Sequence, residues 1–404
     1  MSYIYHSSIL TIAGSASSGP FEGIFRRADA AHLDTSLADT LPHTKLDKVR
    51  HRKALVHEAA EMPLLKRCWV HQERLLSPRF LHFGRHELMW ECMENLACEC
   101  GGARYDHRLD VPKWLASKAR FDPRMMQHVD WELGSGPSAW HDVVSDYSGM
   151  KLTKAKDIFP AISGLARSVS DATGWEYVAG LWKENMIVDL LWTTDNPQLA
   201  SRCERWRAPT FSWASITSRE NIPRGNRVSY RTVNRLRQGL DRQEGRVTIP
   251  YATLVAWECV PEERNQLGEL KSASLVLQGT LIRATLCSAR STRLWSIAAY
   301  GKGVNDRDVL HIDFDFAKDP EQGANAGDEV FCLKLIGSKK SMKYADEEYL
   351  VWLVLKEVPA ECTDQHDCRT FMRIGLLVGR NDDVHLDDES EKDAVEYGVH
   401  VRIV

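Results

Sequence analysis

Trp140, Val143, Val144 and Tyr147 are apolar at i, i+3, i+4 and i+7, a spacing that predicts a helix with one buried face. Pro160 suits the first residue of a following helix, and Ile162, Leu165, Ala166 and Val169 continue its stripe. Leu181, Asn185, Val188 and Trp192 predict a third helix, ended by Thr194-Asp195-Asn196-Pro197. The period then changes to two, with Phe211 and Trp213 alternating with Ser212 and Ala214 as in a strand. From position 247 onward, β-rich runs recur at 254–259, 273–281, 294–299, 309–314, 330–336, 349–355, 371–378 and 399–404. Gly, Asn, Asp and Lys clusters separate them, which predicts an antiparallel sheet, sandwich or barrel.

Ahead of the helices, positions 3–13 are β-branched and aromatic and suit a buried strand, while 80–83 and 88–90 read as strands joined by a hairpin at Gly84-Arg85-His86. Positions 29–61 are polar and weakly helical. Breaks at Pro112, Pro123, Gly134 and Gly136 mark 110–136 as a boundary or a long surface loop. An acidic loop is expected at 382–393. The chain reads as mixed α+β in three parts: 1–105, a helical middle over 106–200, and a β-rich antiparallel module over 201–404.

Chemistry concentrates between Arg67 and Cys92, RCWVHQERLLSPRFLHFGRHELMWEC. Glu73 is the best single candidate for an acid or base, because a carboxylate beside Trp69 in partly apolar surroundings has a raised pKa. Arg67, Arg74 and Arg79 have the forked geometry that holds anions. The bland alternative is that Glu73 pairs with one of these arginines and fixes the ribbon. The loop at 14–19 lacks both the Gly-Lys-Ser/Thr ending and the Gly-x-Gly-x-x-Gly spacing of phosphate cradles, so it reads as a connector.

Composition narrows the classes further. Of 404 residues, 43% are hydrophobic and 27% charged, and the net charge of −4 gives no electrostatic case for nucleic acid or anionic membranes. Seven arginines between 224 and 246 have Tyr230 as their one stacking aromatic, so they read as a solvated edge. No apolar run reaches about 18 residues, the length a spanning helix needs. The ten cysteines lack the dense spacing of a secreted disulfide framework, which points to a reduced, cytosolic setting. Cys98-x-Cys100 is one close pair without a second, so neither a metal nor another cofactor is expected.

The 67–92 stretch resembles the carboxy-terminal signature of the fungal heterokaryon-incompatibility (HET) domain family. The matching positions are Arg67, Cys68, Trp69, Gln72, Glu73, Ser77, Arg79, Leu81, Phe83, Trp90, Glu91 and Cys92. Positions 5–13 with Gly23-Ile24-Phe25, Trp140 to Ser148, Ala179-Gly180-Leu181-Trp182 and Ala208 to Ser215 resemble further blocks of such proteins, in order, over positions 3 to 215. The family's opening blocks are absent, so the resemblance implies that the chain starts inside the domain and that 1–105 is the carboxy-terminal part of an α/β HET-like domain. It implies a cytosolic fungal protein of non-self recognition and programmed cell death, acting with a protein partner. Arg67, Trp69, Gln72, Arg74, Ser77, Arg79, Trp90 and Glu91 would form its working surface. The alternatives are an NAD-cleaving enzyme with Glu73 as acid/base, after the family's distant likeness to Toll/interleukin-receptor-like folds, and an inactive truncated remnant.

Overall fold

The structure, a computed structural model, describes residues 2–36, 49–53, 55, 61–101, 118, 121, 138–218, 227–233, 246–288, 295–299, 310–315, 327–340, 349–358, 369–380 and 394–404. Its architecture is mixed α+β. The chain divides into two units: residues 1–123 with 150–153 and 161–168, and residues 124–149 with 154–160 and 169–404. The helical middle is therefore shared between the units, and the boundaries expected at 105 and 200 do not coincide with this division. Gly164 shows why 161–168 counts with the first unit. Its N–H donates to Gln72 Oε1 at 2.9 Å, and a Cβ there would lie 2.7 Å from that oxygen.

The first unit begins with α1 (Ser2–His6) and β1 (Thr11–Ala13). These replace the buried strand expected over 3–13. Ile9 is 83% and Ile12 57% exposed, and only Ala13 of β1 is buried. Ser8 Oγ donates to the Tyr5 carbonyl at 2.8 Å, a local bond that competes with strand pairing. In 29–61 the described residues hold a 3-10 turn (Ala30–His32) and the two-residue strands β2 (Thr35–Ser36) and β3 (Arg50–His51), where a weak helix was expected. Next come α2 (Cys68–Leu76), β4 (Arg79–Phe83), β5 (Leu88–Cys92) and β6 (Leu96–Cys98). The sheet order is β1-β4-β5-β6, with β1 parallel to β4 and the other pairs antiparallel. The expected β4–β5 hairpin is present, and Phe80, His82, Met89 and Glu91 alternate onto its buried face.

In the second unit, α3 (Ser138–Ser148) buries Trp140, Val143, Val144 and Tyr147, as their spacing predicts. A helix, α4 (Ser163–Thr173), whose residues up to 168 count with the first unit, likewise follows Pro160, with Ile162, Leu165, Ala166 and Val169 fully buried. The third expected helix is a correction. Positions 181–192 form β8 (Leu181–Trp182), paired with β7 (Tyr177–Val178), then a 3-10 turn (Lys183–Asn185) and the single helical turn α5 (Met186–Asp189). Nine of the twelve residues of that run are buried, and a segment buried on most sides carries no usable period. Phe211 to Ala214 is a turn, because Ser212 Oγ accepts the Ala214 N–H at 3.1 Å and caps a 3-10 turn (Trp213–Ser215). Three short strands intervene: β9 (Thr193–Thr194), β10 (Ala200–Arg202) and β11 (Ile216–Ser218), followed by β12 (Val228–Ser229).

All eight β-rich runs fall on strands of one sheet: β13 (Arg246–Pro250), β14 (Thr253–Pro261), β15 (Leu270–Ser288), β16 (Trp295–Ala299), β17 (Leu310–Phe314), β18 (Glu329–Lys340), β19 (Tyr349–Glu357), β20 (Arg369–Arg380) and β21 (Val395–Ile403). The path β18-β19-β20-β17-β16-β15 closes into a barrel because β15 also pairs with β18, Leu281 opposite Leu333. Ile282, Leu286, Cys332, Trp352, Val354 and Leu377 belong to one buried apolar cluster. Most of the arginine run and the acidic loop at 382–393 lie outside the described residues.

Candidate functional site

Helix α2 places Cys68, Val70, Gln72, Leu75 and Leu76 in the interior, and Arg74 with them. A buried guanidinium needs a partner, and Glu91 on the inward face of β5 supplies it. Arg74 Nε donates to Glu91 Oε1 at 2.6 Å and Nη2 to Oε2 at 2.8 Å, a bidentate fork with both side chains almost wholly buried. His82 Nε2 lies 3.3 Å from Glu91 Oε1, and its Nδ1 lies 2.8 Å from Ser15 Oγ. The Lys118 ammonium donates to the Arg74 carbonyl and stands 5.8 Å over the Phe80 ring. Burial alone would raise Glu91, but Arg74 and His82 outweigh it and hold the carboxyl well below the usual range. Burial lowers His82 despite the opposing pull of Glu91 and with help from Arg74 and Lys118, so its imidazole is neutral at pH 7. Burial also brings Lys118 down to about 8, against the pull of Glu91.

Ser15, His82 and Glu91 thus stand in the order nucleophile, base and orienting carboxylate. All three are 0% exposed, however, and the Glu91 charge is committed to Arg74. No substrate reaches that hydroxyl, and the cluster works as an internal clasp between helix, sheet and the 14–19 loop. Sequence reasoning missed Ser15, His82 and Lys118. The one signal for His82 and Glu91 was their place among the inward, alternating positions of two strands.

The other motif residues divide. Gln72 is buried against Gly164, and Ser77 Oγ donates to the Glu73 carbonyl at 2.6 Å and lies 2.7 Å from Thr11 Oγ1. The expectation that Arg74 joins Arg67 and Arg79 in holding an anion fails, since its fork is occupied by Glu91. Arg67 and Arg79 are exposed, and Arg79 Nη1 donates to the Ile9 carbonyl at 3.4 Å. Trp69, Glu73 and Trp90 are half-buried. Arg79 and Trp90 share the sheet face opposite His82 and Glu91. Partial burial raises Glu73 above the ordinary carboxylate value, opposed by its hydrogen bond from Tyr5 and by Arg67. Burial, then Glu73, pushes Tyr5 up to about 12.

A polar cleft of about 540 Å³ opens elsewhere in this unit, and its charged lining is mixed: Glu22, Arg26, Arg27, Asp29, Glu61 and Arg85. Neither sign prevails, and Glu73 does not line it. Among the described residues, two groups of side chains have ligand atoms close enough to share a metal ion, Asp29 with His32 and His86, and Glu87 with Cys98 and Cys100. In the second unit, Arg373 is forked onto Asp315 at 2.8 and 3.0 Å and stacked 3.6 Å from the Trp192 ring. Asp189 accepts from His141, the Trp182 N–H and Asn185. Both are buried clasps of the same kind as Arg74–Glu91.

No protein-family model, curated protein or solved structure matches this chain.

Proposed function

We propose that this chain is a signalling protein of the heterokaryon-incompatibility class, working in the fungal cytosol through a protein-binding surface on its first unit. The observation that supports this reading is the division of labour among the motif residues. Gln72, Arg74, Ser77 and Glu91 are spent on bonds inside the unit, whereas Arg67, Trp69, Glu73, Arg79 and Trp90 keep accessible surface. Beside Arg79 lies an apolar stretch that a monomer would hide: Tyr3, Ile4, Ile9 and Ile12 are 80%, 68%, 83% and 57% exposed. Tyr3 and Ile4 come from α1, and Ile12 from β1, the edge strand of its sheet and so at the position that accepts a partner's strand. Among the described residues no helix is long and apolar enough to cross a membrane.

The second reading is an enzyme cleaving NAD or a related nucleotide. It draws on Glu73, whose raised pKa and Tyr5 hydrogen bond suit an acid or base. Inducible expression in a fungal host separates the two. The signalling reading expects death from the wild type and from Glu73→Gln, unchanged cellular NAD, and survival with Ile9→Lys/Ile12→Lys. Loss of NAD with the wild type but not with Glu73→Gln would install the enzyme reading. Survival in every case would leave an inactive remnant.

A further inference from the structure

The turn that ends β6 brings two thiols together beside a buried carboxylate. Cys98 closes the strand and Cys100 follows in a tight turn, made possible by Gly101 at φ +70°, whose N–H donates to the Cys98 carbonyl at 3.0 Å. The two Sγ atoms are 2.9 Å apart and not joined in a disulfide. Glu87 comes from the β4–β5 hairpin, and its Oε2 accepts the Cys100 N–H at 2.7 Å. The donor atoms of Glu87, Cys98 and Cys100 all lie within 4.8 Å of one another. Glu87 is 8% exposed and both cysteines are half-buried, so the group is sheltered on its carboxylate side and open to ion entry on its sulfur side.

We infer that Glu87, Cys98 and Cys100 form a binding site for a thiophilic divalent cation of the zinc type, with solvent as the fourth ligand. Two sulfurs and a carboxylate are donors that zinc accepts, and three protein ligands plus one open position is an established tetrahedral arrangement. On binding, each thiol releases its proton to solvent and two S–metal bonds form, while the carboxylate is already ionised. Two thiolates and a carboxylate bring three negative charges. The divalent ion and the Arg52 guanidinium, 3.3 Å from Glu87 Oε2, balance them. Arg52 and the Cys100 N–H also hold the carboxylate in place, as outer-shell donors do for metal ligands. Zinc bonds of about 2.3 Å to sulfur set tetrahedral sulfurs roughly 3.8 Å apart. The pair therefore opens slightly on binding, a movement that the turn at Gly101 permits. The expectation of no metal rested on the lack of a second Cys pair, and the missing donor is a carboxylate eleven positions before Cys98, on another strand connection.

The test is cobalt(II) titration of the full chain, reduced and freed of metal with a chelator. The expected result is a thiolate-to-cobalt charge-transfer band with tetrahedral visible bands, saturating at one ion per chain, releasing two protons and reversed by zinc. Cys98→Ser and Cys100→Ser should each abolish the charge-transfer band or weaken affinity at least tenfold. Glu87→Gln should weaken affinity while the band survives. Cys92→Ser and His86→Ala should leave it unchanged, and circular dichroism of each variant reports whether it is folded. Saturation without the band, or a band that persists in Cys98→Ser/Cys100→Ser, overturns the assignment. Saturation without the band, if abolished in His86→Ala, would move the ion to Asp29, His32 and His86. A chain that takes up no cobalt after reduction, and whose Cys98 and Cys100 were isolated as a disulfide, also overturns it in favour of a redox pair.

Discussion

Arg74 and Glu91 are both almost fully buried, so neither is stable there without the other. Removing one partner leaves an uncompensated interior charge, and Glu91→Gln or Arg74→Met should each cost about 3–5 kcal/mol by urea denaturation. The double variant Arg74→Met/Glu91→Leu should cost less than either single change, because an apolar pair of similar volume replaces the ions. Single costs below about 1 kcal/mol would mean that water reaches the pair. The same cluster sets a pH dependence. The folded chain keeps Glu91 ionised below its ordinary value of 4.5, where the unfolded chain takes up a proton, so this stability is full above that pH and is lost as pH falls. His82, held neutral by burial, is protonated in the unfolded chain below about 6.5, which adds loss in the same direction. Stability should therefore fall on acidification through both values, and Glu91→Gln should flatten the lower limb.

Elements follow the sequence where one face is apolar and the other polar. The α3 stripe was legible for that reason, whereas the β-rich runs were legible from β-branched and apolar composition between Gly, Asn, Asp and Lys clusters, even where, as over Leu350–Leu355, every residue is buried. Positions 181–192 were not, because a run buried on most sides fits a helix, a strand or both in succession. What decides there is Gly180, at φ +95°, whose carbonyl accepts the indole N–H groups of Trp140 at 3.1 Å and Trp213 at 3.0 Å. A Cβ at this position would stand 2.7 Å from Trp213 Nε1. Gly180→Ala should cost roughly 2–4 kcal/mol, combining left-handed backbone strain with two disturbed buried hydrogen bonds. Gly174, at φ +74° with nothing within 4 Å of its Cβ position, isolates the backbone part. Gly174→Ala should cost about 1–2 kcal/mol. Equal losses for the two, read by tryptophan fluorescence in denaturant, would remove the indole contacts from the account.

Contacts between distant segments are what the sequence withheld at the scale of the whole molecule. No period announces that β15 pairs with β18 and closes a barrel, that Ser15 meets His82, or that Glu87 completes the Cys98–Cys100 pair. The motif at 67–92 was legible as a centre of the first unit, but only the geometry separates its internal half from its accessible half. Each unit also has its own apolar interior: Met62, Leu65, Val70, Met89 and Leu96 in the first, and the barrel cluster around Trp352 in the second. Separate cores are the physical condition for separate unfolding. Trp352 is 0% exposed, and Trp352→Ala should cost the barrel about 3–5 kcal/mol. Amide hydrogen exchange should then speed up across β15, β18, β19 and β20 by the corresponding factor, while the amides of β4 and β5 keep their protection. Matching acceleration in β4 and β5 would mean instead that the two interiors melt as a single cooperative body, and that the barrel's stability governs the unit that carries the motif.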